Sequence, residues 1–459
     1  MLLLFTGAKI CVKDSKKLWR NAAIDTKKNE KITRIAFVIC ETFEYFISIF
    51  VTGTMLGYLL DTVGFSDSLQ GILGTVATFA CGAQLFALFM SGKRVKGMCA
   101  IGNTVNQVCF VVLYLFPLVS MTPRLRTTLL VILLITGHII NNAVRPSKLT
   151  MYMDSVPAGT RGSFTAVKEM ISLAGGIIVS LVMGRVADTF RSSDGLPTKE
   201  YYVICAITLV IMTLIHTASV VAATEKPIMT SEKVPLKDTM KRISKNKNFI
   251  KVVIVGLIWH AASAFSISFF ASYLREELAF TFTIIAVLTT VSSVARILAS
   301  PILGKIADKH SFATSMTIAF ILAGVGFLAM VFTAPQTRWL YIAYACFYGF
   351  AMAGINSGVI NFVYDYVEHR DRATAMGVNS ALGGILSFFV ALLSGAIMSK
   401  IQENGGFRIW GINLYAQQIL SILSCIAIVI LIIYMRKVIA PLKRVEEIEN
   451  ACTEEKTVK

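Results

Sequence analysis

Seven ionisable side chains sit in stretches of sequence that are otherwise apolar: Glu41, Glu44 and Glu169 against Arg145, Lys148, Lys168 and Arg296. A lone charge at the centre of a membrane-spanning helix costs roughly 2.5–3.5 kcal/mol on insertion scales, so such groups pair with one another or carry function. Three acids and four bases predict mutual pairing. The densest stripe is Glu41, Glu44, Tyr45, Ser48 and Thr52. Its spacing of i, i+3, i+4, i+7 and i+11 puts all five on one helical face. A carboxyl held there in low dielectric suits exchange of a proton, or binding of a coupling cation or a substrate group. Glu41 also has a plainer reading, an ion pair that locks one end of the molecule.

Three further groups share helical faces. His138, Asn141, Asn142, Arg145 and Lys148 form one. Arg145 suits an anionic substrate, or pairs with Glu41 or Glu44, and Pro146 is expected to bend or end that helix. Trp259, His260, Ser263 and Ser266 form the second; Tyr341, Tyr344, Tyr348 and Met352, with Asn356 a turn later, form the third. Aromatic rings beside hydroxyls and amides suit a polar, partly apolar solute such as a sugar or nucleoside. Helix packing explains any one ring equally simply. His260 suits proton exchange or a fixed interhelical hydrogen bond.

The elements that position these residues follow from composition. The chain has 459 residues, 55% of them hydrophobic and 15% charged. That excess of apolar surface excludes an ordinary soluble protein, and disorder with it. Twelve apolar stretches are each near the ~20 residues that cross a bilayer as a helix. They lie at 35–60, 68–90, 97–118, 126–150, 163–186, 201–223, 250–274, 281–304, 312–333, 338–363, 372–399 and 413–436. With the N-terminus inside, cytoplasmic segments hold 31 Lys and Arg and external loops nine. This is a strong positive-inside asymmetry. It assigns the net charge of +17 to the lipid surface rather than to nucleic acid.

The expected organisation is a cytoplasmic tail (1–34), a six-helix half (35–223), a basic central loop (224–249), a second six-helix half (250–436) and a cytoplasmic tail (437–459). Met1–Phe5 is too short for a signal-peptide core, so no cleavage is expected. An internal repeat supports the division. Asp154, Val156 and Arg161 match Asp365, Val367 and Arg372 as D-x-V-x4-R, each between the fourth and fifth helices of its half. Each Arg is followed by a Gly pair, Gly175-Gly176 and Gly383-Gly384. Superposing the repeats aligns Lys168 with Asn379, which predicts that both face inward.

This pattern resembles the major facilitator superfamily of secondary transporters. The resemblance rests on twelve spans in two halves, a basic central loop, and Gly304-Lys-Ile-Ala-Asp308-Lys309 after the eighth span, which is similar to the family's G-x-L-A-D-R/K motif. The first-half copy, Gly92-Lys93-Arg94, keeps the bases and lacks the Asp. The resemblance implies an all-α membrane protein of two pseudo-symmetric halves that rock about a central site. Spans one, four, seven and ten would line the cavity. Asp154, Arg161, Asp308, Lys309, Asp365 and Arg372 would form gating pairs.

Nucleotide-binding and hydrolase motifs are absent from the sequence: no G-x4-G-K-[S/T], H-E-x-x-H or G-x-S-x-G occurs. The nine cysteines show no zinc-ligand spacing. No cofactor, metal or enzymatic activity is expected. The sequence therefore reads as a monomeric secondary transporter in a plasma or inner membrane, both termini cytoplasmic. Proton-coupled symport of a small polar solute leads, and sodium is the alternative ion. Efflux of amphipathic compounds, or a receptor without transport, are the competing functions.

Overall fold

The structure, a computed structural model, describes residues 28–65, 73, 80–86, 89, 95–190, 192, 197–225, 236–267, 269–270, 273–280, 282–368, 371–403, 407–409 and 412–442. Among these, eleven helices are long and apolar enough to cross a membrane. The second expected span, 68–90, falls mostly outside the described residues; Ala80–Phe86 of it forms a tight helical run. The protein is thus a multi-pass, helical membrane protein.

The helices are α1 (Lys28–Val63), α2 (Lys96–Leu113), α3 (Pro123–Met153), α4 (Arg161–Thr189), α5 (Lys199–Ala222), α6 (Leu236–Lys245), α7 (Lys247–Ile267), α8 (Phe282–Lys309), α9 (Phe312–Val331), α10 (Tyr341–Tyr366), α11 (Arg372–Glu403) and α12 (Ala416–Tyr434). A short antiparallel hairpin, β1 (Phe407–Ile409) with β2 (Ile412–Leu414), precedes α12. The segment expected to be a loop between the halves contains α6, which is too short and polar to span.

Two helices depart from simple form. α1 is interrupted at Val51–Thr52, where Thr52 is extended (φ −141°, ψ 164°). The hydroxyls of Ser48 and Thr52 donate to the carbonyls of Tyr45 and Ser48 at 2.6 and 2.7 Å, and such back-bonding bends helices. α3 opens with Pro123 in the first turn, where a missing N–H costs nothing. It does not end at Pro146 but continues to Met153.

Burial divides the molecule into two private cores and one shared core. One apolar cluster, from Ile47 to Met212, lies wholly in the N-terminal half. Another, from Val252 to Ile439, lies wholly in the C-terminal half. The third draws on both: Phe37, Cys40, Leu149 and Tyr152 pack with Phe249, Val363, Tyr364 and Met376. It sits at the end of the molecule that holds Asp154, Arg161 and Arg372.

The halves also meet where α4 crosses α8. A Cβ on Gly162 would stand 2.5 Å from the Gly304 carbonyl oxygen, and one on Gly304 would stand 2.8 Å from that of Gly162. Only glycine permits that approach. The Gly pairs of the repeat have a matching use. Phe46 and Tyr45 of α1 press on Gly175 and Gly176, and His260 of α7 presses on Gly383. Helix one of each half thus seats a ring on helix five of the same half.

Candidate functional site

Beneath the break in α1 lies a cluster of charges inside the N-terminal half. Glu44 of α1 is bonded to Lys148 of α3, whose side chain is completely buried. Glu41, one turn earlier, lies 3.2 Å from Lys168 of α4 and 3.9 Å from Lys148. His216 of α5 brings Nε2 to 3.8 Å from Glu44 and 3.2 Å from the Cys40 sulfur. Four helices therefore converge on two carboxylates. Tyr45, on the same stripe, is exposed beside Gly176.

On α3, Asn142 donates to the His138 carbonyl at 2.9 Å and accepts from Gln84 at 3.0 Å. The His138 ring lies 5.3 Å from Phe110, and Asn141 is half-buried. Arg145 is exposed. It lies within electrostatic reach of Glu44 and Glu41. Both acids are already held by lysines, so the pairing considered from sequence for Arg145 is taken by Lys148 and Lys168.

A second charged site bridges the halves. Arg296 of α8 is paired with Glu169 of α4, and Asn356 of α10 donates to the same carboxylate at 3.4 Å. Lys168 and Glu169 are sequence neighbours facing different partners, one inward to its own half and one across.

Past this pair, towards the shared core, contacts between halves accumulate. Asp308 accepts from the backbone N–H groups of Gly162 and Ser163 at 2.7 and 2.8 Å, and from the Ser163 hydroxyl at 2.5 Å. A carboxylate at the first turn of α4 satisfies orphan donors and complements the helix dipole. Arg161 and Arg372 stack on opposite sides of the sequence repeat against one ring, Tyr364, at 4.7 and 4.3 Å. Asp154 approaches Arg372 at 3.9 Å, and the Tyr364 hydroxyl donates to the Thr150 carbonyl at 3.1 Å. Lys309 is exposed at the end of α8 and Asp365 is half-buried near the end of α10. Arg242 of α6 forks onto Asp371, its Nε donating at 2.7 Å.

The C-terminal half has aromatic packing where the other has charge. Tyr344 is buried, stacked on Tyr348 at 5.2 Å and edge-on to Phe270 at 4.8 Å. Trp259 is buried 5.7 Å from Phe320. His260 shares a hydrogen bond of 3.2 Å with Ser387. A small cavity between α7, α9, α10 and α11 is lined by Gly256, Trp259, His260, Phe320 and Asn379. Asn379 is buried against Gly256 of α7, much as its aligned residue Lys168 meets Glu41 of α1.

Sequence reasoning did not single out Cys40, His216 or Tyr364. A single His in an apolar helix was the available signal for His216; nothing marked the other two. Cys40, Glu44 and His216 place three ligand-type atoms within 4.8 Å of one another. An ammonium on the same carboxylate opposes a dication there, so a proton network fits this donor set better than a metal.

Comparison with known proteins came out as follows. Residues 252–456 match the family model described as Major Facilitator Superfamily. No curated protein matches the sequence. The chain is similar in structure to the E. coli fucose:proton symporter (TM-score 0.68, 10% identity, covering 89% of this chain and 98% of that one). It is similar to the proton:xylose symporter (TM-score 0.67, 15% identity, 94% and 99%). A bacterial homologue of the iron transporter ferroportin, in an outward-facing state, also aligns (TM-score 0.61, 12% identity, 89% and 98%).

Proposed function

We propose that this chain is a member of the major facilitator superfamily, whose model its residues 252–456 match and whose fold it resembles, and that it couples movement of a small polar solute to a proton. Secondary transport is what that fold supports; the solute and the ion are the proposal. The observation that carries it is the Glu41–Glu44–Lys148–Lys168–His216 cluster. Two carboxylates share lysines and a histidine, so a proton taken up by one acid reshuffles the ion pairs around it. That gives protonation a structural consequence, which coupling requires.

In this reading the end held by Asp308, Arg161 and Tyr364 faces the cytoplasm, with both termini. The molecule is then closed inwards, which agrees with its likeness to an outward-facing structure. Opening it would break the Glu169–Arg296 pair, the Asp308 cap and the shared core together. The protein is a monomer in a plasma or inner membrane.

The test is solute accumulation in proteoliposomes under an inward proton gradient. Glu44→Gln should abolish gradient-driven accumulation while sparing solute exchange, and Glu41→Gln should weaken it. Accumulation by Glu44→Gln equal to wild type at neutral pH removes that role. Accumulation that follows a sodium gradient instead replaces the ion.

A further inference from the structure

The charges around Glu41 and Glu44 do not balance. Glu41 is taken by Lys168 and Glu44 by Lys148, while Glu169 belongs to Arg296 on the other half. Arg145 remains, with no ion pair or hydrogen bond among the described residues. Cys81 lies beside it, on a stretch, 68–94, whose sequence contains no Asp or Glu. That neighbour brings no counter-charge. A guanidinium stays charged at any physiological pH, and an uncompensated cation within a membrane domain is costly.

We infer that the missing counter-charge belongs to the solute: the transported molecule is an organic anion whose carboxylate is held by Arg145. The inference rests on the transport reading and names its substrate class. The planar fork of Arg145 matches a carboxylate bidentately. The side chain is exposed, and Asn141 sits one helical turn away on the same face to bond the remainder of the solute. The neutral aromatic and amide groups of the C-terminal half carry no competing charge.

Matched pairs of probes test this: glucuronate against glucose, lactate against glycerol, and benzoate against benzyl alcohol. Thermal melting of the purified protein reads binding, since a ligand of the folded state raises the melting temperature. The expected result is stabilisation by at least one acid and not by its neutral partner. Arg145→Gln should weaken that binding roughly ten- to hundredfold, the worth of a charged hydrogen bond. Arg145→Lys, which keeps the charge and loses the fork, should fall between. Equal response to an acid and its neutral partner overturns the proposal, as does an acid response unchanged in Arg145→Gln or an absence of any acid response. Stabilisation and counterflow of a neutral probe alone would remove the anion while leaving transport intact. If no probe binds or exchanges, both readings fall.

Discussion

Two ion-pair sites differ in what they join. The Glu44–Lys148 and Glu41–Lys168 pairs lie within one half, so they travel with it as a unit. The Glu169–Arg296 pair ties α4 to α8 across the divide, so it survives in only one arrangement of the halves. The residues that feed them are adjacent: Lys168 serves the first and Glu169 the second. A helix turns about 100° per residue, and that single step separates a group that sets the internal state of a half from one that sets where the halves stand. In the transport reading proposed above, the first site would register a bound charge and the second would report it as motion.

The largest effect should come from breaking the internal site. Lys148→Met leaves the half-buried Glu44 without its lysine, and removing one partner of a fully buried pair costs about 3–5 kcal/mol, the upper bound here. The melting temperature should fall sharply, and adding Glu44→Gln should recover much of it. An unchanged melting curve for the single variant would show that the pair does not stabilise the half.

Glu169→Gln should instead change conformation more than stability. Losing a partly accessible bridge worth about 1–2 kcal/mol shifts the balance of the two facings around tenfold. Labelling of a cysteine introduced at Ser163, which the Asp308 end covers, would read that shift as faster modification. The result contrary to this is a loss of melting temperature with no change in labelling.

Asp308→Asn keeps an acceptor at the start of α4 and loses the charge, so it should loosen the same end by about 1 kcal/mol. Arg242→Gln should act least. Its partner Asp371 is nearly buried but the guanidinium is more open, and exposed pairs are worth ~0–1 kcal/mol. If Arg242→Gln raised cysteine labelling more than Glu169→Gln, the ranking of the two regions would be reversed.

The helices and their division were legible because lipid forces long apolar runs to be helices. Of the expected spans, only the second falls mostly outside the described residues. The stripe from Glu41 to Ser48 was legible from its period, whereas Thr52, expected on the same face, falls at the break in α1; charge alone foretold that acids and bases in the spans would pair. Which base meets which acid was not legible: Arg296 finds Glu169 only because two helices from different halves cross at Gly162 and Gly304. Tyr364 was invisible for a similar reason. Its role as the ring beneath two arginines depends on the repeat folding Arg161 and Arg372 to the same place. The rings of Trp259 and Tyr344 were read as solute contacts or as packing, and the structure buries both against neighbouring aromatics.

In the alternating reading proposed above, the shared apolar core at the Asp308 end bears on the heat capacities of the two facings. Parting Phe37 and Tyr152 from Tyr364 and Met376 would wet apolar surface, and apolar hydration carries a positive heat-capacity change. Unless the opposite end closes over an equal apolar area, the balance of facings will curve with temperature. Cooling, which weakens apolar cohesion, would then by itself bias the molecule towards opening at that end.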